Sequence, residues 1–142
     1  MGEPTGRIRV RGGALEATTV GPEEVSALID ELPLVGLLGT GAEGATMVRG
    51  AAELRAKESD RIAALVAGLR GLGADIEELP DGFVVRGPTR LSGGACEARG
   101  DHRLAMAFAV AALTASGSVA VSDMASVADS FPGFLATLER LR

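Results

Sequence analysis

The sequence resembles itself. Displaced by 73 positions, Glu43-Gly44-Ala45-Thr46-Met47-Val48 falls on Ser116-Gly117-Ser118-Val119-Ala120-Val121, while Ile62 and Leu65 fall on Leu135 and Leu138. At an offset near 75, Ile8 and Val10 fall on Phe83 and Val85. The order hairpin, helix, strand, helix therefore occurs twice. It predicts two copies of one α/β (α+β) unit, about residues 1–74 and 75–142, each a mixed sheet covered by helices.

Within each copy, periodicity places the elements. Arg7-Ile8-Arg9-Val10 alternates polar and apolar, and β-branched residues between Leu15 and Val20 follow the Gly12-Gly13 turn, which predicts an opening hairpin. Pro22 suits a first helical position, with Val25, Leu28, Ile29 and Leu32 at helical spacing behind it. A helix over residues 34–42 and a strand over 45–48 come next. The best-marked helix carries Ile62, Leu65, Val66, Leu69 and Leu72 on one stripe and ends at Gly71 and Gly73. Strands over 75–79 and 82–86 flank Pro80-Asp81. The second copy then offers a buried helix over 101–115, a strand over 118–121 and an amphipathic helix over 132–142.

With 142 residues, 46% hydrophobic and 23% charged, the chain can build a core without disulfides or metals. Its lone cysteine, Cys96, reads as a small buried apolar residue in a reducing cytoplasm. A net charge of −5 without Trp or Tyr argues against nucleic acid as a partner. Glycines and Glu43 interrupt the apolar stretch from Val35 to Val48, so no membrane span is expected, and Met1-Gly2-Glu3-Pro4 does not open a signal peptide. Walker, dinucleotide, nucleophile-elbow and zinc patterns are absent.

Local positive charge is then the informative feature. Lys57-Glu58-Ser59-Asp60-Arg61 lies at the start of the best helix, where free N–H groups favour an anion. If the helix includes both cations, Lys57 and Arg61 share a face, and Glu58, four before Ile62, turns inward, where burial raises a carboxyl pKa toward a general acid's. Spacing alone favours a plainer reading, an i, i+3 salt bridge between Glu58 and Arg61. Asp101-His102-Arg103 opens the later helix with the only histidine. Arg103 could grip a phosphate and His102 donate to a substrate, or Asp101 could cap the helix while His102 packs. Asp30, at the end of the first helix, is a base or a solvated acid.

These segments together resemble the 3-phosphoshikimate 1-carboxyvinyltransferase (EPSP synthase) family. Residues Glu53 to Arg61 resemble its E-L-R-x-K-E-S/T-D-R signature, Asp101 to Met106 its D-H-R-x-A-M signature, Ser130 to Phe134 its S-F-P-x-F stretch, and Ile29 to Pro33 the segment bearing its catalytic aspartate. The resemblance implies transfer of the enolpyruvyl group of phosphoenolpyruvate to the 5-hydroxyl of shikimate 3-phosphate, with release of phosphate and without metal or organic cofactor. It implies an enolpyruvyl transferase fold of βαβαββ units, with Asp30 as proton acceptor and shikimate phosphate contact and Glu58 as the acid for the methylene. Lys57 would hold shikimate 3-phosphate, Arg61 and Arg103 would hold phosphoenolpyruvate, and His102 would line the site.

Two positions depart from the pattern. Glu53 stands where some members carry an asparagine that contacts the shikimate substrate. Asp129 stands where many carry a phosphoenolpyruvate-binding lysine, so that role is not carried over. Family enzymes hold their site between two globular halves, which implies that this chain supplies part of the C-terminal half, is inactive alone and needs the N-terminal half as partner. A relative acting on a UDP-sugar and a non-catalytic anion-binding module are the other readings; the Lys57-to-Arg61 motif argues against the first.

Overall fold

The computed structural model describes residues 5–141; Met1–Pro4, on which the expected absence of a signal peptide rests, and Arg142, the end of the helix expected over 132–142, lie outside them. Strand β3 (Ala42–Val48) is the hub of the larger sheet. Residues 15–20 run parallel along it as two short pieces, β1 (Leu15–Glu16) and β2 (Thr19–Val20), with Val20 opposite Val48. Between β2 and β3 the chain crosses over through α1 (Pro22–Leu28) and α2 (Leu32–Gly41), as parallel pairing requires. After helix α3 (Arg61–Gly71), β4 (Asp75–Leu79) and β5 (Gly82–Gly87) form the expected hairpin, and β5 pairs antiparallel with β3, Phe83 opposite Val48.

The second copy follows the same plan with a smaller sheet. Strand β6 (Gly94–Cys96) crosses through α4 (His102–Ala111) to β7 (Val119–Val121), which pairs parallel with it, Cys96 opposite Val121. Short helices α5 (Val127–Ser130) and α6 (Phe134–Glu139) close the chain. Helices α2 and α4, each of ten residues, occupy equivalent places in their copies.

Helix α3 joins the copies because its stripe is apolar and its partner face is cut to fit. Ile62, Leu65, Val66, Leu69 and Leu72 are all 2% exposed or less. Burying each contributes roughly 1.5–3 kcal/mol, far more than helix propensity supplies. A Cβ at Gly68 would collide with the Phe108 ring of α4, so this glycine is accepted in mid-helix, at about 1 kcal/mol against alanine, for the closeness it permits. Cys96 is buried against the same helix, its Sγ 3.7 Å from the Gly68 carbonyl, and burial pushes its thiol up to about 11.

Three expectations are corrected. No opening hairpin forms: Ile8 and Val10 are 90% and 87% exposed, and residues 15–20 lie parallel on β3. The outer edges of residues 15–20 and of β4 carry no further strand among the described residues, so alternation alone does not bring a strand to an edge: Ile8 and Val10 find no surface to cover them. The short strand β6 carries no period-2 signal and is absent from the expected elements. The strand pairings also put residues 75–87 in the first copy's sheet, so the sheets divide between Gly87 and Gly94, not near residue 74.

Candidate active site

The helix start decides which charged groups can meet. Asp60 is the N-cap of α3, its Oδ1 accepting from the Ala63 N–H at 3.0 Å, so the helix begins at Arg61. Lys57 and Glu58 therefore precede it, after a 3-10 turn over Ala52–Ala56, and the shared face expected for Lys57 and Arg61 does not exist. Glu58 does not turn inward either. Its side chain is 49% exposed against 37% for Asp30, the reverse of the environments expected for a dry acid and a wet base. The plainer salt bridge is what forms: Arg61 Nη2 lies 2.5 Å from Glu58 Oε2.

Arg61 is the centre of the cluster. Its side chain is 1% exposed, and its Nε donates to Asp101 Oδ2 at 2.6 Å and its Nη1 to Asp30 Oδ1 at 3.1 Å. Burial opposes its charge, but the hydrogen bond and charge of Asp101, with Glu58 and Asp30 behind, more than offset that, and its pKa is raised. Asp101 is 0% exposed and caps α4, its Oδ1 accepting from the N–H groups of Arg103 and Leu104, while Ser59 Oγ donates to Oδ2 at 3.3 Å. Arg103 then reaches back, its Nη2 3.0 Å from Asp30 Oδ2.

Four sequence-predicted residues thus converge: Asp30 from the turn before α2, Glu58 and Arg61 from the start of α3, and Arg103 from the start of α4. Two guanidinium groups face the three carboxylates of Asp30, Glu58 and Asp101, open to solvent on the side of Asp30 and Glu58. Lys57 is apart from this network and pairs with Glu53 at 2.6 Å. His102 is half-buried beside it and makes no side-chain hydrogen bond among the described residues. Asp129 is exposed on α5. A groove of about 390 Å³ lies elsewhere, between α4, β7 and α6; its lining is mainly apolar but includes Ser118 and Glu139, and no residue of the charged cluster lines it.

Two supporting residues lie beyond the reach of sequence reasoning. Asp101 reads there as a cap, not as the buried anchor of Arg61. Arg55 binds the turn between β4 and β5, donating to the carbonyls of Leu79 and Pro80 and to Glu78 Oε1, all at 2.8 Å, and to Asp60 Oδ2 at 2.7 Å. Its partners include backbone carbonyls, which no side-chain spacing reveals.

The fold defines the class. An enolpyruvyl transferase from Streptomyces tendae, NikO, superposes with a TM-score of 0.70 over 90% of this chain and 28% of its own, at 22% identity, which shows the shared fold. The model of the EPSP synthase (3-phosphoshikimate 1-carboxyvinyltransferase) family matches residues 2–138, and the chain belongs to that family. The 3-phosphoshikimate 1-carboxyvinyltransferase of Desulforudis audaxviator is 50% identical over 99% of this chain and 33% of its own length. The EPSP synthase structure from Acinetobacter baumannii is 36% identical with a TM-score of 0.85 over 89% of this chain and 30% of that one. The chain thus spans about a third of the curated relatives it matches.

Proposed function

We propose that this chain carries part of the active site of an enzyme that transfers the enolpyruvyl group of phosphoenolpyruvate to the 5-hydroxyl of shikimate 3-phosphate, releasing phosphate. The observation that supports it best is the convergence of Asp30, Glu58, Arg61 and Arg103 from three separate segments at the starts of two helices. Both substrates are polyanions. Guanidinium groups at helix N-termini lower their desolvation cost and stabilise charge that develops during addition. In this reading Arg61 and Arg103 hold phosphoenolpyruvate and Lys57 holds shikimate 3-phosphate. His102 lines the site.

The acid–base work falls to the two exposed carboxyls. Asp30 accepts the proton of the attacking hydroxyl and contacts the shikimate substrate, and Glu58 protonates the methylene carbon. Glu58 needs a drier setting for that than the chain alone supplies, which fits a site completed by a further part of the enzyme. A single wall of a cleft cannot hold two substrates in reacting geometry, so turnover by this chain alone is expected to be negligible. A cytoplasmic location accords with this biosynthetic role.

The test is calorimetric titration with shikimate 3-phosphate and then phosphoenolpyruvate, with and without the remaining two thirds of the Desulforudis relative's chain. Binding of both ligands and turnover on mixing are expected. Absence of binding in every combination would remove the reading.

A further inference from the structure

The cations of the cluster are already occupied. Every nitrogen of the Arg61 guanidinium is hydrogen-bonded to a carboxylate, and at 1% exposure the group cannot be reached from solvent while those carboxylates stay. The three are not equally fixed. Asp101 is 0% exposed and is also held by the N–H groups of Arg103 and Leu104 and by Ser59. Asp30 bonds Arg103 as well as Arg61, so moving it breaks two ion pairs. Glu58 is the most exposed at 49%, makes this one ion pair, and lies in the irregular stretch between the 3-10 turn and α3.

We infer that Glu58 is an internal stand-in for a ligand anion on Arg61, and that it leaves when a ligand carboxylate takes its place. This rests on reading Arg61 as a phosphoenolpyruvate contact. A buried guanidinium with bare donors on its outer edge is costly, so the unliganded chain needs an anion there. A ligand carboxylate offers Arg61 Nη2 the same kind of charged acceptor that Glu58 Oε2 now supplies. The exchange makes and breaks only ion pairs. It also links two events: occupation of Arg61 frees the Glu58 carboxyl, so the proposed acid becomes available only once the group it would protonate is bound. An uncharged ligand cannot drive the exchange, because it leaves Arg61 without a compensating charge.

The experiment follows the Arg61 Nε–H resonance by NMR while the chain is titrated with phosphoenolpyruvate, and separately with inorganic phosphate. Glu58→Gln and Glu58→Ala remove the stand-in at an exposed position, and Glu77→Gln, on the outer face of β4, controls for the change in net charge. Both Glu58 variants are expected to bind phosphoenolpyruvate at Arg61 about two- to fivefold tighter than the parent, the scale of losing one competing ion pair with a half-exposed carboxylate, and the control less than about twofold. In the parent, saturation should also move the Glu58 carboxyl carbon resonance. Binding to the parent with unchanged or weaker affinity in both Glu58 variants, or an unmoved carboxyl carbon at saturation, would overturn the inference alone. No response of Arg61 in any variant would overturn it together with the assignment of Arg61 to phosphoenolpyruvate.

Discussion

Helices α3 and α6 hold equivalent places at the 73-residue offset, yet they are built differently. Ile62 and Leu65 of α3 are 0% and 1% exposed, whereas Leu135, the counterpart of Ile62, is 51% exposed. Helix α3 runs for eleven residues from a side-chain cap; α6 runs for six from Gly133, at φ 83°, with none. The difference lies in what covers each helix. After α3 the chain returns as β4 and β5 and covers the stripe, while Leu135 on α6 stays half in solvent. An apolar stripe specifies a buried helix only where a second surface is supplied. The charged cluster sits at the start of the helix that has that surface. There Arg61 stands where α6 has Phe134.

The sharpest way to break this contrast is to loosen the start of α3. Asp101→Ala leaves Arg61 buried without its fixed partner, and a loss of about 3–5 kcal/mol is expected in urea unfolding. Phe134→Ala, at the equivalent start of α6, should cost about 1 kcal/mol, since its ring is only partly buried, edge-to-face with Phe131 at 5.6 Å. Next in size, Leu65→Ala should cost about 2–5 kcal/mol through the cavity it leaves, and Leu135→Ala less than about 1. Equal costs for the two leucines would show that α6 is as well covered as α3 and dissolve the comparison.

The same contrast explains which parts of the fold are legible in the sequence. The stripe of α3, the hairpin of β4 and β5 and the buried helix α4 can be read because their periodicity agrees with their burial. The opening alternation at Ile8 and Val10 misleads, because strand pattern says nothing of whether a surface is there to cover its apolar residues. In the site, residue types and motif order are legible, and the helix register is not. A cap at Asp60 in place of a helix begun at Lys57 moves Glu58 from an inward to an outward position, and that choice depends on the grip of Arg55 on a turn 24 residues away. The role of Asp101 is hidden for a similar reason: its partner Arg61 is 40 residues distant.

The cap can be weakened more gently. Burial raises the Asp60 carboxyl pKa, but the hydrogen bonds from the Ala63 N–H and from Arg55 outweigh that and hold it below its ordinary 3.8. A carboxyl with a depressed folded pKa contributes stability that is fully present above the unfolded value and is lost as pH falls through the folded one. Asp60→Ala should therefore cost about 0.5–2 kcal/mol at neutral pH. Its deficit should shrink as pH drops below the ordinary carboxylate value, read as converging midpoints of urea unfolding in parent and variant. A deficit that stays constant down to low pH would mean that the cap acts through shape and not charge.

The smallest effect tests whether the second copy opens by itself. Cys96 on β6 is buried against Gly68 of α3, and its thiol is pushed up to about 11, so at neutral pH a disulfide reagent should react with it only through opening. If the poorly covered α6 weakens its copy, labelling at neutral pH should proceed with an apparent opening free energy about 1–2 kcal/mol below that of global unfolding. Leu135→Ala should then speed labelling by only a few-fold, because the side chain it truncates is already half in solvent. Labelling that tracks global unfolding, and that responds to Leu65→Ala but not to Leu135→Ala, would show the two copies unfolding as one body, with α3 as the joint that holds them together.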